Sequence, residues 1–170
     1  MFVLVLLSLA GVLKHSSVSN GGDPPKLQYR FEAAPATSVG QPLSLRFTLL
    51  NRTPLPVCVL RWYTPLEGLR GKILRVTLNG KELPYRGMMV KRGEPGREDY
   101  VCIPARGSVS KDFDLAESYD LSAPGRYGIA FVGQVRDYAW DEALIPRASR
   151  DHRPCKVDSL KKPLEFERKP

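Results

Sequence analysis

The chain has 170 residues, 42% of them hydrophobic, with 15 Pro and 14 Gly. That is enough for one domain with a real core, and too many turn formers for a helical bundle. Its formal charge of +8 predicts a basic surface, yet the Lys and Arg are dispersed among Asp and Glu, so a solvated surface outweighs nucleic-acid binding.

In chain order, Phe2 to Leu13 (F-V-L-V-L-L-S-L-A-G-V-L) is a continuous apolar run. At about twelve residues it has signal-peptide length and falls short of the ~20 that a transmembrane helix needs. Ser17-Val18-Ser19 supplies a small-x-small site, so residues 1–19 are expected to be a cleaved signal peptide and the protein to be secreted or otherwise extracytoplasmic. No basic residue precedes the run and Lys14-His15 follows it directly. An uncleaved anchor or a misassigned start is the alternative, and only the anchor would bring a membrane into play. Asn20 to Lys26 (N-G-G-D-P-P-K) reads as a linker of turn formers.

Over 27–170 the pattern has period two. Leu27, Tyr29 and Phe31 alternate with Gln28 and Arg30, and Leu43, Leu45, Phe47 and Leu49 with Ser44, Arg46 and Thr48, as in half-buried strands. Cys58, Leu60 and Trp62 share one face of a further strand, with Val57, Val59 and Arg61 on the other. Leu74, Val76 and Leu78 lead to Asn79-Gly80, which suits a type I′ turn, and Leu83 and Tyr85 return. Further strands are expected at Tyr100–Ile103, along Val109, Lys111, Phe113 and Leu115, at Tyr127–Phe131 and around Leu164–Phe166, with a short helical turn in 116–121. Seven to nine short strands punctuated by turns predict an all-β, immunoglobulin-like antiparallel sandwich. The irregular stretch Val135 to Lys162 is expected to be a long rim loop.

Cys58, Cys102 and Cys155 lack C-x-x-C spacing, which argues against a zinc or redox motif. In an oxidising compartment a Cys58–Cys102 bridge between sheets is the first expectation, with buried free thiols as the alternative. Asn51-Arg52-Thr53 matches a glycosylation acceptor, relevant only in a eukaryotic host.

The search for catalytic chemistry is brief. A zinc peptidase needs two imidazoles beside a Glu, as in H-E-x-x-H, and this chain has only His15 and His152. His152 reads as a solvated loop residue, because triads assemble across a fold rather than from sequence neighbours. No phosphate-binding glycine loop occurs. Two acidic clusters, Glu94/Glu98/Asp99 and Asp137/Asp141/Glu142, lack the spacing of a calcium loop and read as surface charge. No enzyme activity, metal or cofactor is expected.

The segments F-T-L-L-N-R-T, V-L-R-W-Y-T-P-L-E-G-L, N-G-K-E-L-P-Y-R-G, V-K-R-G-E-P and L-A-E-S-Y-D-L-S-A-P-G-R-Y occur in that order between Phe47 and Tyr127. Together they resemble the non-catalytic N-terminal module of deuterolysin-type (aspzincin) metalloendopeptidases, including the lysine-specific ones. That resemblance implies a sandwich fold and a prodomain-like role in folding assistance and in keeping a zymogen silent. The catalytic half is not within these residues, so a stand-alone module without activity is expected.

Read physically, Trp62 packs inward, while Pro65, Gly68 and Gly71 shape a bend. Glu67 in that bend either caps backbone N–H groups or pairs with an Arg. Lys91-Arg92-Gly93-Glu94-Pro95 is a charged loop. Its alternatives are a solvated loop or a contact with a partner, such as a zinc metalloendopeptidase catalytic domain or another secreted protein. In the second case Lys91 or Arg92 would enter a specificity pocket as a substrate mimic. A structural or adhesive surface module, or a remnant of a longer peptidase, is the competing functional reading.

Overall fold

The computed structural model describes residues 23–33 and 38–170; the expected signal peptide and the first residues of the linker lie outside the described residues. The cleanest alternations build the first sheet. β1 (Leu27–Ala33) and β2 (Ser44–Asn51) pair antiparallel, with Phe31 opposite Phe47 and Tyr29 opposite Leu49. β7 (Ser108–Asp114) flanks β2, and β10 (Val157–Ser159) adds to the outer edge of β1 in parallel. The second sheet runs β11 (Leu164–Arg168), β8 (Gly125–Phe131), β4 (Leu74–Leu78) and β5 (Lys81–Glu82). A third, smaller sheet is β6 (Tyr100–Ile103), β3 (Val57–Leu60) and β9 (Tyr138–Ala139).

The first two sheets face each other across an aromatic core. Phe131 of β8 lies edge-on to Tyr29 at 5.4 Å and to Phe47 at 5.6 Å between ring centroids. Leu43, Leu45, Phe47 and Leu49 are wholly buried; truncating one such Phe costs about 3–5 kcal/mol. The expected all-β sandwich therefore stands. It has eleven short strands among the described residues rather than seven to nine, and one parallel pair.

The turn chemistry is as expected: Asn79 (φ 49°) and Gly80 (φ 84°) are both left-handed, as a type I′ hairpin requires. The returning strand is shorter than its alternation suggests. After β5 the chain leaves the sheet, and Tyr85 packs edge-on to Tyr119 at 5.5 Å instead. The turn expected over 116–121 is a 3₁₀ turn at Leu115–Glu117.

Three expectations are corrected. The Cys58–Cys102 disulfide forms, but within one sheet, since the two residues are direct antiparallel partners on β3 and β6. Cys155 is a buried free thiol, and burial, with Asp137 nearby, pushes it up to about 12. Val135–Lys162 is not a rim loop: β9 pairs with β3, Val135 bridges to Cys155, and β10 pairs with β1. Strands of two or three residues are too short to show a period. Asn51 is fully buried. Its amide donates to the carbonyls of Leu55 and Pro104 and its oxygen accepts from Thr53 N–H at 2.9 Å, so the folded chain offers no glycan acceptor there.

Candidate functional site

The site begins where β3 ends. Val57 and Val59 face the main core, while Cys58, Leu60 and Trp62 turn into a second cluster with Tyr100, Ala139 and Ile145. The expected sharing of faces is observed, with both faces buried. Beyond β3 the chain makes a tight bend. Thr64 caps a 3₁₀ turn over Pro65–Glu67, accepting from Leu66 N–H at 3.2 Å and donating to the Arg61 carbonyl at 2.7 Å. Gly68 closes it at φ 85°, where a Cβ would be strained.

Tyr63 is left-handed at φ 60°, an uncommon conformation for an aromatic residue that surrounding contacts must hold. Its N–H donates to Glu67 Oε1 at 2.8 Å. The other Glu67 oxygen receives the Arg92 guanidinium, in a pair whose side chains are only 9% and 18% exposed. Both roles foreseen for Glu67 are thus filled together. Arg92 also lies over the Trp62 ring, 5.0 Å from its centroid, a cation–π arrangement. The Trp62 indole N–H donates to Asp99 Oδ1 at 2.9 Å, and Asp99 Oδ2 accepts from Gly96 N–H at 2.9 Å. The W-Y-T-P-L-E-G bend and the Lys91–Pro95 loop are therefore one packed unit.

The structure separates the four loop residues. Lys91 is exposed, Arg92 is held by Glu67 and Trp62, and Pro95 is buried. The Glu94 carboxylate accepts from Ser149 N–H at 2.7 Å, and that bond holds its carboxyl below the usual range, assisted by the neighbouring His152 and Arg150 charges. Lys91 and Glu94 are both exposed, and of these two charges only Lys91 has no hydrogen-bond partner among the described residues. Upstream, the Tyr85 hydroxyl lies against the carbonyls of Met88 (2.6 Å) and Leu69 (3.1 Å), while Val90 N–H donates to the Arg70 carbonyl at 3.3 Å. Met88 and Met89 stand 62% and 78% exposed. An apolar pair in a polar loop is the sequence signal that marks them.

A second cluster was also missed. Asp137, fully buried, accepts from the Tyr100 hydroxyl (2.6 Å), from Arg147 Nη2 (2.7 Å) and Nε (3.2 Å), and from Arg153 N–H (2.8 Å). Arg147 also donates to the Tyr138 carbonyl. Burial and the Asp137 carboxylate raise the Tyr100 phenol well above its ordinary value. Asp137 and Asp99 are thus structural acceptors and not the surface charge expected of them. Asp141 caps Ala143 N–H at 2.8 Å, and Glu142 pairs at the surface with Arg97 at 3.1 Å. His152 is half-buried, with Nε2 3.3 Å from the Arg147 carbonyl. Among the described residues no group of three or more His, Cys, Asp or Glu is placed to hold a metal ion.

The fold and site together define a disulfide-linked β-sandwich module with an ordered, partly apolar surface loop. No family model matches the chain. It is similar to an extracellular protease of Aeromonas hydrophila, 30% identical over 88 residues that make up 52% of this chain and 25% of that protein. It is also similar to a neutral protease 2 homolog of Arthroderma gypseum, 30% identical over 101 residues, 58% of this chain and 27% of that protein. A probable neutral protease 2 homolog of Arthroderma benhamiae is 28% identical over the same length. The chain spans about a quarter of the length of the relatives it matches and is related to a protease-associated region.

Proposed function

We propose that this protein is a non-catalytic, prodomain-like binding module that acts outside the cytoplasm, occupying the cleft of a cognate peptidase and either inhibiting it or assisting its folding. The observation that carries this reading is the similarity, confined to about a quarter of each relative, to proteins named as proteases. Two further features support it. The chain has two His in all, so it lacks the means to build a paired-imidazole zinc site in a domain without the leader. The Cys58–Cys102 disulfide suits an oxidising compartment, in keeping with a relative named an extracellular protease.

The test is to titrate the Aeromonas and Arthroderma proteases, freed of the segment that matches this chain, with the purified protein. Caseinolytic activity and the yield of active protease on refolding are both followed. Stoichiometric loss of activity, or a severalfold gain in refolded enzyme, is the expected outcome. A folded protein that changes neither quantity sinks the reading and leaves the adhesive module in its place.

A further inference from the structure

Between Arg86 and Glu94 the chain is fixed by hydrogen bonds at every second residue. Arg86 N–H donates to the Ser118 carbonyl at 2.9 Å, and the Met88 carbonyl, three residues on from Tyr85, accepts locally from its hydroxyl while the Met88 side chain stays exposed. Val90 N–H donates to Arg70, Arg92 is clasped by Glu67 and Trp62, and Glu94 accepts from Ser149. A two-residue repeat of tethers is the signature of an extended chain fixed along one side. Beyond Gly87, which packs against Ser118 and Tyr85, the residues between them are bare. Met89 is 78% exposed, the most exposed large hydrophobic among the described residues, Lys91 is exposed, and a Cβ at Gly93 would meet nothing within 4 Å. Among the described residues neither Met89 nor Lys91 makes a hydrogen bond, so their backbone groups are free to pair with a partner.

We propose that this strap is the contact element of the module, inserting Met89 and Lys91 as an extended peptide into a cleft with an apolar pocket beside a carboxylate. The inference rests on the peptidase reading above and adds the residues and the chemistry of the pocket to it. A partner that covers Met89, 78% exposed, and the exposed Lys91 must be concave around them, and it must accept extended backbone, because the unpaired groups otherwise lose their solvent on contact. An ordered strap has already lost its conformational freedom, which favours tight binding over the same residues in a flexible loop. Arg92, by contrast, is a positioning residue: its charge is turned inward and holds the strap in place.

The proposal is tested with the same two proteases and four forms of the protein: wild type, Met89→Ser, Lys91→Ser and Gly93→Leu. None of the substituted side chains packs against the body, so each variant is expected to unfold with the wild type. Met89→Ser should weaken inhibition about 10- to 100-fold, the scale of one buried apolar anchor. Lys91→Ser should weaken it about 3- to 10-fold, with the difference shrinking at high salt. Gly93→Leu should weaken it at least about 10-fold by steric block. Peroxide oxidation of Met89 should slow severalfold in the complex, a readout that needs no mutation.

Wild-type inhibition with all three variants unimpaired and Met89 unprotected would overturn the strap while leaving the peptidase reading intact. Absence of any wild-type effect on activity or refolding would overturn both. Conversion of a dimer to a monomer by Met89→Ser, with inhibition unchanged, would show that a second copy occupies the strap and would also overturn the proposal.

Discussion

Two irregular stretches of this domain, the strap of residues 86–94 and the segment 135–157, are held by the same device and put to opposite use. In both, a carboxylate accepts backbone N–H groups and a guanidinium: Glu67 from Tyr63 and Arg92, Asp137 from Arg153 and Arg147. In both, an aromatic residue from another part of the chain completes the arrangement, Trp62 in one and Tyr100 in the other. The difference is in what lies between the anchor points. Val135, Tyr138, Ile145 and Cys155 are buried, so the segment serves the core. Met89 and Lys91 are exposed, so the strap spends well-ordered backbone on residues that contribute nothing to packing. Order without burial is the pattern of a preformed binding element.

The strongest way to break the comparison is at Asp137. Its side chain is 0% exposed, and Asp137→Ala would leave the Arg147 charge and the Tyr100 hydroxyl buried without their acceptor. Loss of one partner from a buried pair costs about 3–5 kcal/mol. The expectation is a urea midpoint lowered accordingly, with Cys155 becoming reactive to thiol reagents under conditions where the wild type is inert. A loss within about 0.5 kcal/mol would show that Asp137 is dispensable and that the segment is held by its apolar residues alone.

Arg92 is expected to sit between the two regimes. Arg92→Ala removes a charged hydrogen bond to Glu67 and the cover over Trp62, at a cost of about 1.5–3 kcal/mol. Lys91→Ala, one residue away, should change stability by no more than about 0.5 kcal/mol. Unfolding curves followed by Trp fluorescence would separate the two. Equal effects would mean that the strap does not alternate between tethered and free residues.

How far these arrangements were legible in the sequence follows from the distance between cause and effect. Alternation over five or more residues exposed β1, β2, β4, β7 and β8, because such strands turn alternate residues inward, although in β7 Phe113 alone is buried and Lys111 of the expected face is exposed. Asn79-Gly80 announced its turn because only a few residues tolerate two left-handed positions. Cys58 and Cys102 lay in recognisable strands, although which sheets those strands joined was not readable. Glu67 could be assigned its options from the bend around it. Asp137 could not, since its partners lie 10, 16 and 37 residues away and meet only after the sandwich has closed. Lys91–Pro95 shows in the sequence only as a charged loop, because the tethers of the strap come from Ser118, Tyr85, Arg70, Glu67 and Ser149, none of them neighbours in one element.

The smallest expected effect tests the last tether of the strap. Ser149 N–H favours the ionised form of Glu94, so the carboxyl titrates below its ordinary 4.5 in the folded chain. A depressed folded value means that the stabilisation is present above about pH 4.5 and is lost as pH falls through that lower folded value. Glu94 is exposed, so the domain should remain folded through this change while the tether alone is released. In an acid titration followed by NMR, the Ser149 amide proton should shift with an apparent midpoint below 4.5, and Glu94→Gln should abolish that inflection. A Ser149 amide that is indifferent to pH in the wild type would mean that Glu94 does not hold it. The regular spacing of tethers would then end at Arg92, leaving the buried Pro95 to fix the exit of the strap.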